Sequence, residues 1–136
     1  MKRNRNPNKD LFSPPGGKLD ILNAESPSEC AVREAFEECS IKSNAEDWKL
    51  CGILTEKNYP DAGHIMIFIM SYNKSLNKLP PDCNEGSFIF IHPDRFNEFS
   101  MPETDKRFLW KNVINYNGEV FLINLDCSNY PEIIQY

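Results

Sequence analysis

Apolar positions along the chain change period several times, and the changes mark out its elements. Over residues 26–40 the spacing is helical. At about 100° per residue, Ala31, Val32, Ala35, Phe36 and Cys39 share one face, and Arg33, Glu34, Glu37 and Glu38 share the opposite one. Ser26 is a good N-cap, Pro27 suits the first helical position and Glu29 completes a capping box, so the helix has a defined start. Strand-like stretches follow. Trp48 to Thr55 is apolar and partly alternating, and His64 to Tyr72 (HIMIFIMSY) is a continuous apolar run of the kind found in strands buried on both faces. Ser87 to Ile91 (SFIFI) predicts a third strand, stopped by His92-Pro93. Pro93 to Phe99 predicts a short helix and Thr104 caps a longer one from Asp105 to Ile114. Asn117-Gly118 is a turn, and Glu119 to Leu125 predicts a last strand. Residues 1–18, ending in Pro14-Pro15-Gly16-Gly17-Lys18, and residues 73–84, with Pro80-Pro81, carry loop chemistry. Helices and strands are mixed without regular alternation, and neither repeat nor linker interrupts them. The pattern predicts one α/β domain over residues 1–136, with a mixed sheet between helices.

Composition supports a soluble domain. The chain has 136 residues, 40 % of them hydrophobic and 12 % aromatic, enough for a core. The longest apolar run is strand-sized, well short of the ~18 residues a membrane span needs, and no apolar segment follows the basic N-terminus as a signal peptide would require. Five cysteines, Cys30, Cys39, Cys51, Cys83 and Cys127, form no CxxC and are odd in number, which points to a reducing, cytoplasmic compartment rather than a disulfide framework or zinc site. His64 and His92 have no cysteine at ligand spacing and read as surface or strand residues. A net charge of −5 argues against stable nucleic-acid binding.

That charge is unevenly spread. Lys2, Arg3, Arg5, Lys9 and Lys18 outweigh Asp10 in the first 18 residues, whereas Glu25, Glu29, Glu34, Glu37 and Glu38 outweigh Arg33 over residues 25–38. A basic strip beside an acidic helix suits a metal-bound phosphate; charge alone is met as well by a solvated tail beside a solvated helix. Glu34, Glu37 and Glu38 stand at i, i+3 and i+4, where like charges cost a helix ~0.2–0.5 kcal/mol per pair. Hard cations such as Mg²⁺ or Mn²⁺, which take carboxylate and water oxygens, offset that repulsion. An Arg33–Glu37 pair on an ordinary acidic face would also soften it.

The surroundings of the helix add specificity. The run Gly17…Glu25…Arg33-Glu34-Ala35-Phe36-Glu37-Glu38-Cys39-Ser40-Ile41 resembles the Nudix box, G-x5-E-x7-R-E-U-x-E-E-x-G-U, where U is a bulky aliphatic residue. Glu25 and Arg33 meet the E-x7-R spacing, R-E-x-x-E-E is complete and Ile41 supplies the final aliphatic. Asn6-Pro7-Asn8-Lys9 and the Pro-Pro-Gly-Gly-Lys approach are also similar to the family's lead-in. Three positions depart from the pattern: seven residues rather than five separate Gly17 from Glu25, Ser40 stands where glycine is usual, and Ala35 is smaller than the usual aliphatic. A loop absorbs two residues cheaply.

The resemblance implies a Nudix-type α/β/α sandwich with a mixed β-sheet, its N-terminal strand here short or missing. It implies a hydrolase that opens the pyrophosphate linkage of a nucleotide with Mg²⁺ or Mn²⁺. Glu37 and Glu38 become the main metal ligands, Glu34 a further ligand or general base, and the Gly16 carbonyl an added ligand. Arg33 orients a glutamate, Gly17 and Glu25 support the loop–helix geometry, and Lys18 contacts phosphate. Glu85, in the loop before SFIFI, is expected to reach the metal cluster from outside the helix. The short chain and its lead-in look like the MutT-like nucleoside triphosphate pyrophosphatase branch, which includes enzymes acting on 8-oxo-dGTP. Tyr59, 18 residues beyond Ile41, has a spacing associated with dinucleoside polyphosphate hydrolases and is a candidate substrate contact. A reading of another class is a Nudix-derived nucleotide-binding module without catalysis. The partner expected is a small nucleotide, with no membrane; a homodimer is compatible with the sequence.

Overall fold

The computed structural model describes residues 1–6 and 8–136, so Pro7 of the basic lead-in lies outside the described residues. Two compact units are present, one built from residues 1–49 and 70–102, the other from residues 50–69 and 103–136.

In the first unit the chain opens on β1 (Lys2–Arg3), which pairs antiparallel with β4 (Gly86–Ser87). A Cβ at Gly86 would overlap the Lys2 carbonyl, so only glycine admits this approach. The pairing brings the loop ahead of β4 beside the basic N-terminal strip, and the Asn4 N–H donates to the Glu85 carbonyl at 2.9 Å. The strand predicted over residues 87–91 shrinks to this bridge. Its partner is only two residues long, so the ladder ends, and Ile89 and Phe90 stand exposed. The N-terminal strand is short rather than missing, a departure from the long strand usual in the family that the residues resemble.

Helix α1 (Pro27–Cys39) follows its local signals closely. The Ser26 hydroxyl accepts from the Glu29 N–H at 3.3 Å and the Glu29 carboxylate from the Ser26 N–H at 2.8 Å, the complete capping box. At the other end Ser40 takes φ +56°, and the Ser40 and Ile41 N–H groups close on the Phe36 and Ala35 carbonyls. Serine adopts here the left-handed conformation that glycine would adopt with less strain. The buried stripe, however, is displaced from the predicted one. Ala35, Glu38 and Cys39, at i, i+3 and i+4, are buried, and Phe36 is 54 % exposed. Phe36 is therefore not the core aromatic the helical wheel predicts, and Glu38 does not face solvent.

The second unit holds most of a four-stranded sheet, in the order β3 (Gly63–Tyr72), β2 (Trp48–Tyr59), β5 (Phe121–Asn129) and β6 (Glu132–Gln135). β2 runs parallel to β5, from Gly52 opposite Phe121 to Lys57 opposite Asp126, whereas β5 and β6 are antiparallel, so the sheet is mixed. β3 lies at the sheet's edge, and Met66 within it is 61 % exposed, so that apolar run is not buried on both faces. Strand β6 was not predicted. The Asn117-Gly118 turn is present, with Gly118 at φ +103°. The predicted helix from Asp105 begins as a π-turn over Asp105–Leu109 and continues as α2 (Trp110–Ile114). Leu54, Ile123, Leu125, Cys127 and Ile133 form the core, with Phe108, Phe121 and Tyr130 packed against it. Among the described residues no helix is long and apolar enough to cross a membrane.

One acidic side chain shares that core face. Glu56 follows Leu54 by two residues on β2 and is 4 % exposed. Burial raises its carboxyl pKa, and burial followed by the Glu56 charge raises that of Asp105 from 3.8 to about 7. A folded-state pKa above the unfolded one means the unfolded chain releases the proton first. The associated stability is then complete below the unfolded value near 4 and is lost as pH rises through about 7. We expect thermal melts to weaken between pH 4 and 7 by at most about 4 kcal/mol, and the Glu56→Gln/Asp105→Asn double variant to flatten that slope. Parallel pH curves for variant and wild type would reject the pair as its source.

Candidate active site

The site grows from the Gly16-Gly17 turn. Gly16 has φ +148°, and its N–H donates to Glu38 Oε2 at 2.9 Å. A Cβ on Gly17 would overlap the Glu34 carboxylate, so glycine gives that side chain room over the turn. The two glycines thereby bring the loop against two of the three helix glutamates.

Arg33 organises the rest. Its Nε and Nη2 donate to the two oxygens of Glu25 at 2.8 and 2.9 Å, a bidentate pair. Nη1 donates to Glu34 Oε1 at 2.5 Å and to Glu37 Oε2 at 3.4 Å, and Nη2 also donates to the Lys18 carbonyl at 3.0 Å. Glu25 accepts in addition from the Asp20 N–H at 2.8 Å. Arg33, and then that N–H, hold the Glu25 carboxyl down at about 2. The E-x7-R spacing is thus a cross-link between the loop and the helix, and it absorbs the two-residue extension. Asp20 caps the 3₁₀ turn Ile21–Asn23 within the extension through the N–H groups of Leu22 and Asn23.

Glu38 sits at 6 % exposure. Burial pushes its carboxyl up to about 7, against the pull of the Gly16 N–H, with the charges of Glu85 and Glu34 adding to the rise. Glu85 lines the same cleft as Glu38, near enough for its charge to be felt there. A cleft of about 380 Å³ is lined by Glu34, Glu37, Glu38, Glu85, Arg5, Cys83 and Asn84. The fold therefore brings the loop glutamate to the helix glutamates across 47 positions of sequence. Lys18 is exposed. Tyr59 belongs to the second unit, where its ring meets Tyr130 edge-on at 5.6 Å and packs on the core. Arg5 and Asn84 were not singled out by sequence. The signal for Arg5 was its place in the basic strip; for Asn84, whose backbone carbonyl is the group engaged, there was none.

The donor set fits a hard divalent cation in its chemistry: four carboxylates border one cleft, and burial first, then the charges of Glu85 and Glu34, raises the Glu38 pKa within it. Among the described residues no three acidic groups close on one point at chelating distance. Arg33 engages Glu34 and Glu37, the Gly16 N–H engages Glu38, and Arg3 and Arg5 engage Glu85, so ligation requires these flexible side chains to change partners.

The family model described as NUDIX domain matches residues 1–110, which include the Gly16-Gly17 turn, α1 and Glu85. No curated protein matches the chain. Among solved structures the fold is similar to that of a Mutator MutT protein from Bacillus halodurans, with TM-score 0.71 and 22 % identity over 88 % of this chain and 76 % of that one. At that identity the likeness speaks for the mixed α/β fold alone. The matched domain implies a pyrophosphohydrolase, in a family that typically depends on divalent metal and acts on nucleotide-like substrates. The family model covers most of the chain, including its complete R-E-x-x-E-E helix, and the protein belongs to the Nudix hydrolase family.

Proposed function

We propose that residues 1–136 act as one domain that hydrolyses a nucleoside triphosphate, an oxidised one such as 8-oxo-dGTP included, to the monophosphate and pyrophosphate. The observation that carries this reading is the gathering of Glu34, Glu37, Glu38 and Glu85 around one cleft beside the Gly16-Gly17 turn. Glu37 and Glu38 would be the principal ligands of Mg²⁺ or Mn²⁺, with Glu34, Glu85 and the Gly16 carbonyl completing the oxygen set. A bound divalent ion lowers the pKa of water and neutralises phosphate oxygens, the two needs of attack on a charged phosphorus. The chain's own residues do the rest. Arg33 holds Glu34 in place to take a proton from water, Glu25 holds Arg33, and Lys18 meets the phosphate chain. Tyr59, its ring packed on Tyr130, enters this reading as a core residue rather than a substrate contact. The five cysteines, none of them in a disulfide, suit a reducing, cytoplasmic setting.

The test is direct. Protein with Mg²⁺ is incubated with dGTP, 8-oxo-dGTP, a dinucleoside tetraphosphate and ADP-ribose, and monophosphate and pyrophosphate are measured with and without excess EDTA. A triphosphate should be turned over to pyrophosphate, and EDTA should abolish the reaction. Undiminished activity in EDTA would sink the metal mechanism, and nucleotide binding without turnover would replace the enzyme with a binding module.

A further inference from the structure

Arg5 is the one cation among the described residues that line the acidic cleft. Its Nη2 donates to the Asn84 carbonyl at 2.9 Å and stands 3.7 Å from Glu85 Oε1, on a side chain 52 % exposed. Arg3 holds the other Glu85 oxygen at 3.4 Å from a side chain only 15 % exposed. The two guanidiniums are therefore unequal. Arg3 is enclosed and anchored through its strand, whereas Arg5 reaches the carboxylate from the open side over a long, solvent-screened contact that is weak by its geometry.

Two demands meet at this point. A divalent cation that takes Glu85 as an oxygen ligand must displace positive charge already there, because an ion and a guanidinium compete for the same carboxylate. A polyphosphate entering a cleft of four carboxylates needs every nearby donor, and an arginine fork matches phosphate oxygens in pairs. We infer that Arg5 is an exchangeable positioning residue: it holds Glu85 and the Asn84 carbonyl in the metal-free cleft, yields Glu85 to the cation, and turns its guanidinium to the phosphate chain of the substrate. This rests on the pyrophosphohydrolase reading of the same cleft and adds a residue and an order of events to it.

The inference predicts effects of opposite sign from one substitution. Binding of Mn²⁺ alone, followed by electron paramagnetic resonance, should tighten about threefold or more in Arg5→Gln, because a competing cation has gone. Binding of inorganic tripolyphosphate to the Mn²⁺-loaded protein, followed by calorimetry, should weaken roughly tenfold or more in the same variant. Arg5→Lys should recover only part of the tripolyphosphate affinity, since it restores charge without the fork. A residue that merely braced the Asn84 loop would weaken both ligands together, and that result overturns the inference, as does unchanged tripolyphosphate affinity. Wild-type protein that binds no Mn²⁺ at all would instead overturn the underlying reading of the cleft, so the two failures are told apart. A thermal melt of each variant checks that the cleft is still folded.

Discussion

Glu38→Gln is expected to lower kcat by roughly 10²–10³, the usual loss when one preorganised electrostatic group is removed, while the melting midpoint holds or rises at pH 8. The two halves of this result have one cause. Glu38 is 6 % exposed, and burial among Glu85 and Glu34 pushes its carboxyl up to about 7. Above that pH the fold maintains a buried, repelled negative charge at a cost in stability. Glutamine keeps the shape and an acceptor for the Gly16 N–H and removes the charge. A group placed for packing would lose stability on substitution; one placed for ligation loses turnover. Steady-state kinetics with Mg²⁺ and a melt at the same pH decide. Turnover near wild type would move the metal site elsewhere, and a large fall in midpoint would make Glu38 a structural residue.

Arg33→Gln should lower both kcat, by about 10²-fold, and the melting midpoint, by several degrees. The guanidinium spans Glu25, Glu34, Glu37 and the Lys18 carbonyl, so its loss leaves three carboxylates without their shared cation and frees the loop from the helix. The Glu34 carboxylate would drift from its place over Gly17. Arg33→Lys should rescue little, because an ammonium cannot bridge Glu25 with two parallel hydrogen bonds. Full recovery by lysine would show that charge alone matters at this position. The pH dependence has a definite sign. The Glu25 carboxyl is depressed from 4.5 to about 2, so the pair stabilises the fold above the higher value and fades as pH falls toward the lower. In Arg33→Gln that part of the acid sensitivity should disappear.

Helix α1, its cap and its ion pairs were legible in the amino-acid sequence because their causes are local. The Ser26–Glu29 capping box, Pro27 at the first turn, the i, i+3, i+4 glutamates and the Glu25–Arg33 pair all join residues at most eight positions apart. Hydrogen bonds of that range are written in the spacing itself, and so is the Asn117-Gly118 turn. What the helix buries was not legible. The apolar stripe of α1 includes Phe36, yet Ala35, Glu38 and Cys39 are buried in its place, a choice that depends on what packs against the helix. The length of a strand was likewise set by its partner. SFIFI has strand character, yet it pairs over two residues because β1 offers only two, and β6 exists because β5 has an edge to pair with. The cleft itself was decided last. Arg5 and Glu85 are 80 residues apart, and Glu85 and Glu38 are 47 apart. They meet because Gly86 lets β4 close on β1, a contact whose energy no local pattern contains: residue types and spacing determine a helix, its caps and its near ion pairs, whereas chain path and backbone approach determine which distant charges share one volume.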